Sequence, residues 1–268
     1  MKKIWPFALS ILILFSFLSS CIIAVVDYAD STGIPPGEEF HRILPLEFGG
    51  TLSLENINGD IEIYGWDKNE MEVLAEKLSP YPYKRRVHLF QWGYSLPKID
   101  IDKFEDFIKI RTRTASGRET DVVNYYINVP QSIRLKDIIA GEGNVLISDL
   151  YGEVYVELRN GDIEIDNFSG SLTASVIKGS IRTSLYDLRR EDEIIITTEQ
   201  GDIIVYLQPE VNVRIEVSTP NGDIFSEFDF GKSLLTEKVS TEIGENGAFL
   251  SLTTLNGDIR MKKIKEIQ

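Results

Sequence analysis

Only one cysteine, Cys21, occurs in the 268 residues, so no disulfide within the chain and no cysteine-ligated cluster is available to it. Histidine is almost as scarce. His41 and His88 lie in unrelated segments without cysteine partners, which leaves no zinc-ligand spacing. Cations are outnumbered, 28 Lys and Arg against 42 Asp and Glu, for a formal net charge of −14. The few basic clusters form no long stripe, and a chain this acidic repels a phosphate backbone, so no nucleic-acid partner is expected. A Walker loop and a Gly-x-Ser-x-Gly elbow are also missing. These absences leave no catalytic residue, no metal and no cofactor to name, and the chain reads as a non-enzyme. Past the first 20 residues no stretch carries a 3.6-residue apolar stripe, so helices are not expected.

What is present begins at the N-terminus. Lys2 and Lys3 precede an apolar run from Ile4 to Leu18, interrupted only by Pro6, Ser10 and Ser16. As a helix it would reach roughly 22 Å, short of the ~30 Å hydrocarbon core of a membrane. Residues 1–20 therefore read as a signal peptide. The run ends in Leu18-Ser19-Ser20-Cys21, which resembles a bacterial lipobox, with Cys21 as the acylated first residue of the mature chain. Losing Lys2 and Lys3 would take the net charge from −14 to −16. The expected partner is thus a membrane, reached through a lipid anchor at Cys21, and the expected location is the extracytoplasmic cell envelope or cell surface. Residues 21–40, rich in Asp, Gly, Pro and Glu, read as the lipidated cysteine and a short tether, and 41–268 as the folded domain.

The domain contains a repeat. Asn-Gly-Asp-Ile stands at 58–61, 160–163, 221–224 and 256–259, with looser copies at Gln200-Gly201-Asp202-Ile203, Glu142-Gly143-Asn144-Val145 and Lys178-Gly179-Ser180-Ile181. The seven glycines are separated by 84, 18, 18, 22, 21 and 35 residues. A spacing near 20 is one supersecondary unit, which makes 133–264 the main repeat array. Two residues after every glycine stands Ile or Val, and before most of them apolar and polar residues alternate, as in Val154/Val156, Ile194/Ile196 and Ile215/Val217. Period-two alternation on both sides of a turn signal means half-buried strands. The fold is all-β.

Two architectures satisfy that pattern. Asn-Gly between alternating strands is a strong hairpin signal, which would give an antiparallel sandwich or meander. Alternatively each Asn-Gly-Asp is one corner of a β-solenoid, whose coils stack at about 4.8 Å. The constant phase of the Ile or Val after the glycine favours the solenoid, because that residue would stack on its own copies. Residues 66–130 fit neither pattern cleanly and read as an irregular, aromatic-rich insertion or cap, with strands near 86–94, 106–114 and 121–129. Its Tyr81, Tyr83, Trp92 and Tyr94, beside Lys84, Arg85 and Arg86, form the candidate surface for a protein or glycan ligand.

The segments at 52–73 (LSLENINGDIEIYGWDKNEMEV), 125–138, 152–183 and 250–261 (LSLTTLNGDIRM) together resemble the putative-adhesin β-strand-repeat family of prokaryotic cell-surface proteins. The resemblance spans roughly 45–265 and implies a surface β-repeat protein with a binding or scaffold role. The corner aspartates Asp60, Asp162, Asp202, Asp223 and Asp258 invite comparison with Ca²⁺-binding solenoids, but with one such turn per coil they supply too few oxygen ligands, and Asn144 and Ser180 interrupt the row. Turn-forming side chains that bond nearby N–H groups are the simpler reading. Two rival functions remain open at this point: a polysaccharide-active solenoid enzyme, and an envelope scaffold that self-assembles through its open ends.

Overall fold

The computed structural model describes residues 38–78, 96–114, 121–229 and 238–265. All secondary structure there is β, in eighteen strands: β1 (Glu38–Pro45), β2 (Thr51–Asn58), β3 (Ile61–Trp66), β4 (Glu70–Leu78), β5 (Lys98–Phe104), β6 (Phe107–Arg113), β7 (Val122–Pro130), β8 (Ser132–Glu142), β9 (Val145–Asn160), β10 (Ile163–Lys178), β11 (Ile181–Leu185), β12 (Glu193–Gln200), β13 (Ile203–Leu207), β14 (Val213–Ser218), β15 (Ile224–Ser226), β16 (Lys238–Ile243), β17 (Ala248–Asn256) and β18 (Ile259–Lys263). The segment 66–130, read as an irregular insertion, contributes four of these, β4 to β7, and β1 begins at Glu38, inside the stretch read as tether. The expected strand near 86–94 lies outside the described residues.

The pairing is that of a β-solenoid with antiparallel covers. Strands that lead into a Gly corner lie on one face, joined by β5, β6 and β16, in the order β5–β6–β2–β8–β9–β10–β12–β17–β14–β16. Strands that leave one lie on the other, joined by β1, β4 and β7, in the order β1–β4–β7–β3–β9–β10–β11–β13–β18–β15. The central pairs are parallel; β5, β16 and the β1–β4 pair are antiparallel additions at the ends. The 16-residue β9 and β10 run across both faces, bending where Asp149 and Asn167 take positive φ. Ten strands at about 4.8 Å give the second face a length of roughly 43 Å.

The chain does not stack its coils in sequence order. The coil β2–β3 sits between β6–β7 and the coil of Gly143, although 84 residues separate Gly59 from Gly143. At the other end β17–β18 sits between β12–β13 and β14–β15. The first and last Gly-cornered coils are therefore interior, and the stack ends in β5 and β1 on one side and in β16 and β15 on the other.

The core is the set of columns these coils make. Ile224, Ile259, Ile203, Ile181, Ile163, Val145 and Ile61 stack in register, the residues that stand two after each corner glycine. All but Ile224, in the end coil, are fully buried. In-register aliphatic columns let each side chain bury against an identical neighbour, which is what pins the register. One column carries a flaw. Thr183 stands between Ile165 and Val205, fully buried, and its hydroxyl has no hydrogen-bond partner. Thr183→Val should therefore stabilise the fold by about 1 kcal/mol, raising Tm by roughly 2–4 °C. A thermal melt checks this, and a lowered Tm would mean that the hydroxyl is satisfied after all.

Candidate functional site

The corner glycines stand in one column, and the residue after each continues a hydrogen-bonded ladder beside it. Asn124 Oδ1 accepts from the Asp60 N–H, Asp60 Oδ1 from Asn144, Asn144 Oδ1 from Asp162, and Asp162 Oδ1 from Ser180, at 2.7–3.1 Å. Ser180 Oγ then accepts from Asp202, Asp202 Oδ1 from Asp258 and Asp258 Oδ1 from Asp223, at 3.2, 2.8 and 3.0 Å. Asn144 and Ser180 do not break the row, because each supplies the one oxygen the next backbone N–H requires.

Stack order also explains where the neutral residues fall. Asp60, Asn144, Asp162, Ser180 and Asp202 alternate charged and neutral, so carboxylates are two rungs, roughly 10 Å, apart. Asp202, Asp258 and Asp223 are consecutive, and there Arg260 intervenes, at 2.7 Å from Asp202 Oδ2 and 2.5 Å from Asp258 Oδ2. The Asp258 N–H holds the Asp202 carboxyl below its usual pKa against the opposing effect of burial, and the Arg260 guanidinium adds to the lowering. The ladder oxygens are thus engaged with the fold itself. Among the described residues no cluster of three His, Cys, Asp or Glu is placed to hold a metal.

A hollow of another kind lies elsewhere, an open trough of about 730 Å³ on the outside of the first face. Register places Thr51, Arg134, Glu153, Ser171 and Glu193 side by side across five strands, with the Glu193 N–H donating to Ser171 Oγ at 3.2 Å. The next row holds Tyr155 and Thr173. A bulge shapes this floor. Leu135 pairs with Val154 and Ile138 with Val156, so Lys136 and Asp137 together face Tyr155, and Asp137 takes φ 56°. Bulges bend a strand and re-aim its side chains, and here the bulge sets Lys136 beside Tyr155. Partial burial, then the nearby Glu157 and Asp137 carboxylates, push the Tyr155 phenol above its usual pKa, so it stays a neutral hydroxyl on an exposed ring. Cations on β8 face glutamates on β9 and β12 across the trough, which suits hydroxyl-rich or zwitterionic groups more than a bulk apolar ligand.

Cys21, Tyr81, Tyr83, Trp92 and Tyr94, the residues the sequence nominates, lie outside the described residues, as do Lys84, Arg85 and Arg86. The strands that flank the aromatic segment, β4 and β5, both lie at the end of the stack opposite β15 and β16. The trough residues went unnoticed in the sequence. Their signal was the alternation of Ile133 and Leu135, which fails at Asp137 and resumes at Ile138, as a bulge requires.

A family model described as Toastrack DUF4097 matches residues 108–262, from β6 into β18. The chain is similar in structure to a putative cell adhesion protein from Clostridium sporogenes, at 14% identity and a TM-score of 0.50, over 85% of this chain and 100% of that one. A putative adhesin from Bacteroides fragilis aligns over 85% of this chain and 97% of its own at 8% identity, with a TM-score of 0.27. No curated protein matches the sequence.

Proposed function

The chain belongs to the Toastrack DUF4097 family, and from that premise we propose that it is a lipid-anchored, non-catalytic protein of the cell envelope whose β-array presents a binding surface. The observation that carries the anchor is Leu18-Ser19-Ser20-Cys21 behind a short apolar run, in a chain with no second cysteine. The array supports the display role: β1 receives the tether at one end, and about 43 Å of stacked strands extend from it. The trough around Tyr155, Arg134 and Glu153 is the surface offered to a glycan or protein ligand. Its open shape argues for binding over turnover, because a catalytic site works by excluding water around the reacting groups.

The test compares the native chain with Cys21→Ser by acyl labelling, membrane fractionation and protease shaving of intact cells. The native protein should be labelled, sediment with membranes and be shaved from outside. Cys21→Ser should lose the label and leave the membrane or stay unprocessed. Labelling with full protection from protease would move the protein to an internal layer of the envelope, and attachment that does not depend on Cys21 would end the anchor reading.

A further inference from the structure

For a chain of net charge −14, the last strand is out of character. The sequence RMKKIKEIQ at 260–268 carries four cations and one acid. Within β18, alternation turns Arg260 and Lys262 to the outside of the second face, about 7 Å apart. The Lys262 ammonium lies 5.6 Å from the centroid of Tyr206, and Arg182 on β11 approaches the same ring at 5.1 Å. Arg260 lies 5.3 Å from the ring of Phe225, which is 49% exposed. Two shallow hollows of about 320 and 280 Å³ adjoin here and share Glu227 and Lys262; the second is completed by Tyr206, Lys263 and Lys265.

What sets these cations apart is that they cluster around two adjoining hollows. Arg260 is held by Asp202 and Asp258, but Lys262, Lys263 and Lys265 make no ion pair among the described residues. The one carboxylate in the hollows, Glu227, accepts the backbone N–H of Lys263 at 2.8 Å. Lys262 and Lys263 thus carry their charge beside the rings of Tyr206 and Phe228, the latter at 5.2 Å, and Lys265 lines the same hollow.

We infer that this end of the array is a binding site for an anionic envelope polysaccharide, one carrying a carboxylate or phosphate on successive units. Cations spread over two hollows fit a repeating anion better than a single small one, which would meet one or two of them. Counterion release from the polymer supplies the driving force and makes binding salt-dependent. A lipid headgroup has the same charge, but its membrane is at the wrong end: the tether enters at β1, and β18 and β15 lie at the far end of the second face. That choice of source rests on the anchored reading above; the anion site itself does not.

The experiment uses the full chain in detergent micelles, with polygalacturonate as the probe, neutral dextran as the control polymer and anionic vesicles as a third arm. Because nothing in it depends on acylation, it can fail while the anchor stands, and the reverse. Polygalacturonate should bind, dextran should not, and added salt should weaken the complex steadily. Lys262→Glu with Lys265→Glu should reduce affinity by on the order of tenfold or more, while Lys68→Glu with Lys98→Glu at the other end should change little. If melting shows the reversed variant to be unfolded, Lys262→Gln with Lys265→Gln takes its place. Equal binding of dextran, an unaltered affinity in the charge variants, tighter binding to vesicles than to polymer, or cation-dependent self-association without polymer binding would each overturn the proposal.

Discussion

Gly179→Ala should lower stability by about 4 kcal/mol or more, and Tm by on the order of 10 °C. Two effects add at this residue. Its φ is +143°, a conformation that L residues rarely adopt. A Cβ placed there would also overlap the carbonyl oxygen of Gly161 in the neighbouring coil, with its carbon just behind. Neither group can move away, because both coils are tied at this corner: the Gly161 N–H donates to Lys178 O at 3.0 Å and the Gly179 N–H to Gln200 O at 2.9 Å. Relief would require the coils to separate, and that would break the ladder of Asp162 and Ser180 beside them. Gly49 separates the two effects. Its φ is +80° but its Cβ would meet nothing within 4 Å, so Gly49→Ala should cost only about 1 kcal/mol. Equal losses from the two substitutions, in chemical denaturation followed by circular dichroism, would show that backbone strain alone requires glycine at the corner.

The same corner explains what the sequence disclosed. A glycine followed by an oxygen-bearing side chain, then by Ile or Val, is legible because every coil needs all three: close approach, a ladder acceptor and a core residue. The choice between solenoid and sandwich also followed from that constant phase, and the parallel registers of Ile163 with Val145 and Ile181 agree with it. Stack order was not legible. Any coil ending in Gly-Asx-Ile can dock on any other, so nothing local says that Gly59 lies against Gly143 or Gly257 against Gly201. The only trace was in the long gaps of 84 and 35 residues, which mark where a coil was carried past its neighbour to the end. Loop closure over such distances adds little free energy, since its cost grows only with the logarithm of length. The alternation of Asp with Asn144 and Ser180 becomes meaningful only once that order is known. The trough was hidden for another reason: Arg134, Glu153 and Tyr155 are ordinary outward residues of three strands, and only the register makes them neighbours.

At the β6–β7 end one coil needs a different solution, and its removal should be nearly as costly as a corner glycine. Asn56 shares a core column with Ala140, Leu158 and Val176, yet it is polar and nearly fully buried. Its Nδ2 donates to Val123 O at 2.8 Å and to Gly59 O at 3.2 Å, while its Oδ1 accepts from the Ile57 N–H at 3.0 Å and from Thr112 Oγ1 at 2.8 Å. Because the single Thr112 proton goes to Asn56, the hydroxyl of Tyr125, 2.8 Å away, must donate to Thr112. Burial drives the Tyr125 pKa far above its usual value, which keeps that proton in place. Asn56→Ala would leave the Val123 carbonyl without its Nδ2 donor and the Thr112 proton without its Oδ1 acceptor, away from water, for a loss of about 3 kcal/mol. Asn56→Leu should do little better despite filling the space, since the stranded groups are the cost and the cavity is secondary. Thr112→Val removes a different part of the same network. The double variant Asn56→Ala with Thr112→Val should therefore cost less than the two single losses together, by about 1 kcal/mol. Strict additivity in that cycle would mean that each bond acts alone, and that the buried chain from Tyr125 to Val123 does not hold this coil to its neighbour as a unit.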